Sequence, residues 1–196
     1  RIAGENPFEG CLALMNSSAK PAPRIVIIGA GFSGIGLAIY LQQAGIHDFV
    51  ILEKAASLGG TWRENTYPGA ECDVPSALYS FSFEHNAQWH YKWAEQAQIL
   101  DYLQHVAEKH GLLPHMRFGR QVIGGKWDAA SKQWQVQTAD GGTLACQFLV
   151  TAVGQLHVPN LTRLPNAEIF RGEQFHSAQW RHDIDLHGKC VAVIGN

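Results

Sequence analysis

Arg24-Ile-Val-Ile-Ile-Gly-Ala-Gly-Phe-Ser-Gly34 runs from a short β-branched apolar stretch straight into a cluster of glycines. Ile25 to Ile28 has no polar face, which is the profile of a strand buried on both sides within a parallel sheet. Gly29, Gly31 and Gly34 stand where such a strand must turn into a helix. Gly29 permits the tight turn, Gly31 leaves room for a pyrophosphate where a Cβ would stand, and Gly34 lets the helix pack close on the strand. Unpaired N–H groups at the helix start then point at the phosphates, with Ser33 among the first-turn residues. A helical pattern follows from Ser33 to about Ala44, and Phe49 to Leu52 reads as a second buried strand, which makes a βαβ unit. Glu53 closes that strand, placed to accept hydrogen bonds from ribose hydroxyls and to repel a 2′-phosphate. The site therefore suits NAD or FAD and not NADP; the plainer alternative is a tight βα turn with no ligand.

Beyond this unit the chain from Ala55 to Asn86 is irregular and rich in Gly, Pro, Tyr, Ser and Asn, a length that points to chemistry more than to connection. The spacing of Ile99, Leu103, Val106 and Ala107 predicts a packing helix over Ala94 to His110, stopped by Gly111. Gln121 to Trp127, Gln133 to Thr138 and Thr143 to Thr151 read as three strands of a β-meander. After Gly154 the chain turns irregular, and Lys189 to Gly195 reads as a new buried strand arriving at a glycine turn. The expected class is α/β: a Rossmann-like dinucleotide-binding domain with a parallel sheet and a β-meander, and the start of a second nucleotide-binding domain at the C-terminus.

The composition narrows the function. The chain has 196 residues, 46% of them apolar and 16% charged, with 15 Lys+Arg against 17 Asp+Glu. That is an ordinary folded composition with no sequence-wide positive field, so neither nucleic acid nor a membrane surface is expected as a partner. No apolar run approaches the roughly 18 residues of a membrane helix. The four cysteines, Cys11, Cys72, Cys146 and Cys190, form no C-x-x-C pair and no zinc-ligand spacing, which fits a reduced, cytoplasmic setting and no metal site. His85/His90 and His105/His110/His115 are five apart, too far around a helix to share a face, and read as solvated surface.

Two gapped motifs add a resemblance. Gly59-Gly60-Thr61-Trp62, followed after four residues by Tyr67-Pro68-Gly69 and after three more by Asp73, matches at every fixed position a pattern of the class B flavoprotein monooxygenases, Baeyer–Villiger type. Phe170-x-Gly172-x3-His176-x3-Trp180 matches that family's second signature, although Arg181 stands where the pattern has Pro or Asp. The chain thus resembles the FAD-binding part of the Baeyer–Villiger and flavin-containing monooxygenases.

The resemblance implies FAD and NADPH as cofactors, with Glu53 on the FAD ribose, Ser33, Gly60, Thr61 and Trp62 lining the cofactor, a backbone contact to adenine near Val122, and Tyr79 and Asp73 near the flavin ring. Asp73 is the expected catalytic carboxylate, holding a family arginine and tuning charge at the ring; its alternative is an Asx turn at Cys72-Asp73-Val74. For Trp62 the alternative is core packing, compatible with a flavin contact. Phe170, Gly172, His176 and Trp180 are placed by the resemblance in a linker to an NADPH domain. The implied activity is oxygen insertion from O2 into a ketone, giving an ester or lactone. Oxygenation of a sulfide or amine is the alternative, and a non-catalytic FAD-binding fragment is the reading from another class. The expected organisation is a flexible extension over 1–22, an FAD-binding domain over 23–160, a linker over 161–188 and the first strand of an NADPH-binding domain over 189–196, all within a protein two to three times longer.

Overall fold

The computed structural model describes residues 22–155, 157–160 and 165–195. The extension expected over 1–22 lies, Ala22 apart, outside the described residues, as do residues 161–164 of the linker and Asn196.

Strand β1 (Ile25–Ile28) leads into helix α1 (Phe32–Gln43) and back to β2 (Phe49–Leu52). A single turn, α2 (Thr61–Glu64), a long helix, α3 (Gln96–Lys109), and a two-residue strand, β3 (Met116–Arg117), come next. Four more strands follow: β4 (Val122–Asp128), β5 (Gln133–Thr138), β6 (Thr143–Cys146) and β7 (Phe148–Thr151). The first sheet has the order β3-β2-β1-β7 with every neighbouring pair parallel, and β4-β5-β6 form a separate antiparallel sheet.

Successive residues of β1 and β2 face opposite layers. Ile25, Ile27, Phe49 and Ile51 pack with Ile35 and Ile39 of α1 and Leu103 and Val106 of α3. Val26, Val50 and Leu52 pack instead with Val136 and Cys146 of the meander, helped by Leu149. The molecule is therefore layered helices on parallel sheet on meander, which is why Ile25–Ile28 and Phe49–Leu52 carry no polar face.

Both long helices stop by the same device. The Gly111 N–H reaches the Glu108 carbonyl at 2.9 Å and the Leu112 N–H reaches Ala107 at 2.9 Å, with Gly111 at φ 62. Gly45, at φ 74, and Ile46 repeat the pattern on Gln42 and Leu41. These are Schellman caps, each with a left-handed glycine that accommodates the reversal at no steric cost.

Three expectations need correction. The run Thr143 to Thr151 is not one strand: β6 pairs with β5 in the meander, Gln147 turns, and β7 pairs with β1. Gln147 and Phe148 both donate to the Arg24 carbonyl, at 3.0 and 3.1 Å, which fixes the change of sheet. Lys189 to Gly195 forms no strand, and Val193 and Ile194 are exposed, because no strand among the described residues lies beside them to share a ladder. His110 and His115 are not solvated surface: His110 meets Glu84 at 3.1 Å, and His115 stacks on Phe49 at 4.3 Å with Nδ1–H on the Phe49 carbonyl.

Candidate functional site

The carboxyl ends of β1, β2 and β7 open onto a cleft of about 420 Å³. β1 has β2 on one side and β7 on the other, so the cleft lies where the strand order reverses, the usual ligand crevice of an open parallel sheet. Gly29, Gly31, Ser33, Glu53, Gly60, Thr61, Trp62, Tyr79 and Val122 line it.

The three fingerprint glycines do separate jobs. Gly29 has φ 105, and a Cβ there would lie 2.5 Å from the Ala152 carbonyl oxygen. At Gly34 a Cβ would lie 2.0 Å from the Gly29 oxygen, so this glycine sits beneath the turn and not on the cleft wall. Around Gly31 the protein leaves space: the nearest atom to a Cβ is Gly60 Cα at 3.6 Å. Gly31 and Gly60 thus bring two bare backbones face to face across the cleft. The N–H groups of Gly31, Phe32 and Ser33 have no partner among the described residues, so the start of α1 presents unused donors to the cleft.

Glu53 is buried, and its carboxylate is fixed from two directions. The Ala30 N–H donates to Oε2 and the Ala55 N–H to Oε1, each at 2.9 Å. Each oxygen keeps a second lone pair for hydroxyls in the cleft. Bare glycine backbone, unused N–H donors and a fixed carboxylate at the β2 end together fit a pyrophosphate joined to an unphosphorylated ribose.

Aromatic residues form another stretch of wall. Trp62 Nε1–H donates to the Tyr79 hydroxyl at 3.0 Å, and Tyr79 meets Phe32 edge-on at 4.9 Å. Burial pushes the Tyr79 phenol above its ordinary pKa, the Trp62 hydrogen bond opposes this, and the charge of Asp73 adds to the rise. Trp62 also packs against the buried Cys72, Ala94 and Ile99, so its packing and cleft-lining readings hold together. Tyr102 carries the loop that delivers Tyr79: its hydroxyl accepts from the Phe81 N–H at 2.8 Å and donates to the Glu84 carbonyl at 2.7 Å.

Asp73 is not on this wall. It lies in a separate recess with Glu71, Cys72 and Trp93, and its carboxylate accepts no hydrogen bond among the described residues. No Asx turn forms, because the residue two on is Pro75, which has no N–H to donate, and the Val74 N–H goes to Cys72 Sγ at 3.4 Å. Sequence reasoning singled out neither Lys54 nor Arg120, which line the cleft beside Glu53, because both sit outside the glycine motifs. Ala152, Val153 and Gly154 follow β7 onto the wall, where β7 itself depends on the change of sheet.

The second motif is a surface feature among the described residues. Phe175 meets Trp180 edge-on at 5.2 Å, and His176 Nδ1 accepts from the Ala178 N–H at 3.1 Å, capping a turn of 3₁₀ helix. A Cβ on Gly172 would strike the Phe170 ring at 2.6 Å. Arg181 grips Asp183 with Nε–H and Nη2–H at 2.7 and 2.6 Å, which holds that carboxyl at about 2. Thr66 and His182, 2.9 Å apart, tie this segment to the chain after α2.

Cys72 and Cys146 are buried in separate clusters, and burial pushes both thiols up; Cys190 is exposed, and all three are free. No redox pair exists among the described residues. No group of three or more His, Cys, Asp or Glu among them could hold a metal ion, and no helix among them is long and apolar enough to cross a membrane.

Residues 26–196 match the model of a family described as pyridine nucleotide-disulphide oxidoreductase. A Baeyer–Villiger monooxygenase of Streptomyces coelicolor is 48% identical over 172 residues, covering 88% of this chain and 33% of that protein. One of Pseudomonas aeruginosa is 44% identical over 184 residues, covering 91% of this chain and 35% of that protein. Among solved structures, an oxidised steroid monooxygenase bound to NADP superimposes with TM-score 0.75 at 36% identity, over 84% of this chain and 32% of that one. A cyclohexanone monooxygenase bound to ε-caprolactone does so with TM-score 0.76 at 35% identity, over 83% and 32%. The chain spans about a third of the length of the relatives it matches. It belongs to the pyridine nucleotide-disulphide oxidoreductase family, as a relative of that family's Baeyer–Villiger monooxygenases.

Proposed function

We propose that this chain binds FAD in the β1–β2–β7 cleft and provides the flavin-holding part of an NADPH-dependent monooxygenase that converts ketones with O2 to esters or lactones. The single observation that carries the reading is the meeting of Gly31, Gly60 and the fixed Glu53 carboxylate in one cleft, in a chain 48% identical to a Baeyer–Villiger monooxygenase. When bound, the flavin supplies the electron transfer and oxygen activation that no side chain can.

The chain's own residues bind and orient. Glu53 accepts from ribose hydroxyls, the Phe32 and Ser33 N–H groups and the Gly31–Gly60 gap receive the pyrophosphate, and Thr61, Trp62 and Tyr79 wall the ring end and exclude water. Val122, lining the same cleft, offers backbone toward adenine. Asp73, near enough to Tyr79 to shift its phenol, is a positioning residue: its free carboxylate is available to a cation brought by residues other than those described. The segment with Phe170, Gly172, His176 and Trp180 serves as the linker to the NADPH domain and couples nicotinamide binding to domain motion. Small-molecule ketones are the first substrate class, sulfides or amines the second, and the compartment is the cytoplasm.

The test is direct. Purified protein should carry FAD that survives gel filtration, identified by its absorbance and by chromatography of the released flavin. Supplied with NADPH, O2 and a cyclic ketone, a protein that joins this chain to the nicotinamide-binding part its relatives carry should form lactone; sulfoxide or N-oxide from parallel assays with no lactone would favour the second substrate class. Absence of any bound flavin after reconstitution would overturn the reading.

A further inference from the structure

Arg120 and Lys54 are long basic side chains on the cleft wall beside Glu53, outside both glycine loops. Arg120 is held on a fixed backbone: its N–H donates to the Glu53 carbonyl at 2.8 Å, and the Gly119 N–H donates to Ala55 at 2.8 Å. The Ala139 N–H reaches the Gln121 carbonyl, also at 2.8 Å, which brings the β5–β6 turn alongside. Asp140 of that turn forms an ion pair with the Arg120 guanidinium through Oδ2. Its Oδ1 accepts from the Thr138 hydroxyl at 2.6 Å and from the Gly142 N–H at 3.4 Å, so the carboxylate is itself fixed.

This arrangement distinguishes two uses of an arginine at the ribose end. An unpaired guanidinium would attract a 2′-phosphate. Here Asp140 already matches the Arg120 charge, and the Glu53 carboxylate lines the same cleft, so an anion drawn to this guanidinium meets two carboxylates there. What a paired guanidinium still offers is its plane, which stacks on aromatic faces. We propose that Arg120, oriented by Asp140, is the specificity-determining residue of the adenosine end: it stacks on the purine, and the pair turns away ligands bearing a 2′-phosphate. The inference rests on the reading of the cleft as the FAD site.

The experiment titrates the chain with 5′-ADP, adenosine 2′,5′-bisphosphate and FAD by calorimetry, with circular dichroism and melting temperature verifying that each variant is folded. Arg120→Ala should weaken 5′-ADP and FAD about two- to thirty-fold, the range of a stacked cation on an aromatic face. Arg120→Gln, a milder change for folding, should weaken them as well. Asp140→Asn keeps an oxygen for Thr138 and Gly142 but frees the guanidinium, so it should shift preference toward the 2′,5′-bisphosphate by at least several-fold. Unchanged 5′-ADP and FAD affinity in a folded Arg120→Ala or Arg120→Gln overturns the stacking role, and an unchanged ligand preference in Asp140→Asn overturns the role of the pair. Wild-type chain that binds neither 5′-ADP nor FAD overturns the FAD reading together with this one, whereas wild-type binding with indifferent variants overturns this one alone.

Discussion

Gly31 and Gly34 are three residues apart and look alike in the sequence, yet a methyl group at each has opposite consequences. At Gly34 it strikes the Gly29 oxygen, so Gly34→Ala should unfold readily, losing about 3 kcal/mol or more as measured by urea denaturation. At Gly31 it only touches Gly60 at 3.6 Å, so Gly31→Ala should melt within about 0.5 kcal/mol of wild type. The same variant should retain FAD at least tenfold more weakly, because the added methyl fills the gap left for the pyrophosphate. Equal flavin retention in folded Gly31→Ala would remove the phosphate role. Glu53→Ala carries both effects: it orphans the Ala30 and Ala55 N–H groups, costing the apoprotein about 1.5–3 kcal/mol, and it releases FAD. The fingerprint itself was legible from residue types, since strand, glycine spacing and terminal acid follow one another directly. Asp73 was not, because its motif spacing says nothing of which recess the loop turns it into.

α3 is the element that holds the irregular stretch in place, and the clasp is Glu84. Lys109 Nζ reaches Glu84 Oε1 at 2.7 Å and His110 reaches Oε2 at 3.1 Å, while the Glu84 carbonyl takes the Tyr102 hydroxyl. The Lys109 hydrogen bond, joined by that of His110, holds the Glu84 carboxyl below its ordinary value against a smaller opposing effect of burial. A carboxyl whose folded pKa is depressed stabilises the fold above its unfolded pKa, and that contribution is lost as pH falls through the folded value. Stability should therefore drop on acidification below about pH 4, and Glu84→Gln should flatten that part of the profile while costing about 1 kcal/mol at pH 7. Urea midpoints of both proteins between pH 3 and 7 would show it; parallel profiles would remove the clasp. The helix end offers an independent check: Gly111→Ala has open space, so its cost of about 1 kcal/mol should come from the left-handed φ alone. The α3 stripe and its glycine stop were readable as a period of 3.6 with a terminator. The clasp was not, since Glu84 and Lys109 are 25 residues apart and nothing in either neighbourhood refers to the other.

For the whole molecule, the cleft is made where strands from distant parts of the chain end together, so occupancy and global stability are linked. A ligand at a hundred times its Kd adds about 2.7 kcal/mol to unfolding, and FAD should raise the melting temperature by several degrees. FMN, which lacks the adenosine half that we propose Glu53 and Arg120 receive, should raise it much less; an equal shift would show that only the ring end binds. Residue order alone determined the βαβ start, the two buried strands, the helix stops, the cofactor class suggested by Glu53 and the family to which the motifs point. These are short-range matters: period, turn chemistry and spacing along one stretch of chain. Tertiary structure alone decided that Thr143 to Thr151 divides between two sheets, that β7 becomes the second neighbour of β1, that Asp73 lies apart from the cleft and that Asp140 meets Arg120. Each depends on which surfaces close on one another, because a run such as Phe148–Thr151 has the same alternation in either sheet and only the packing of Leu149 and Val150 between layers selects one.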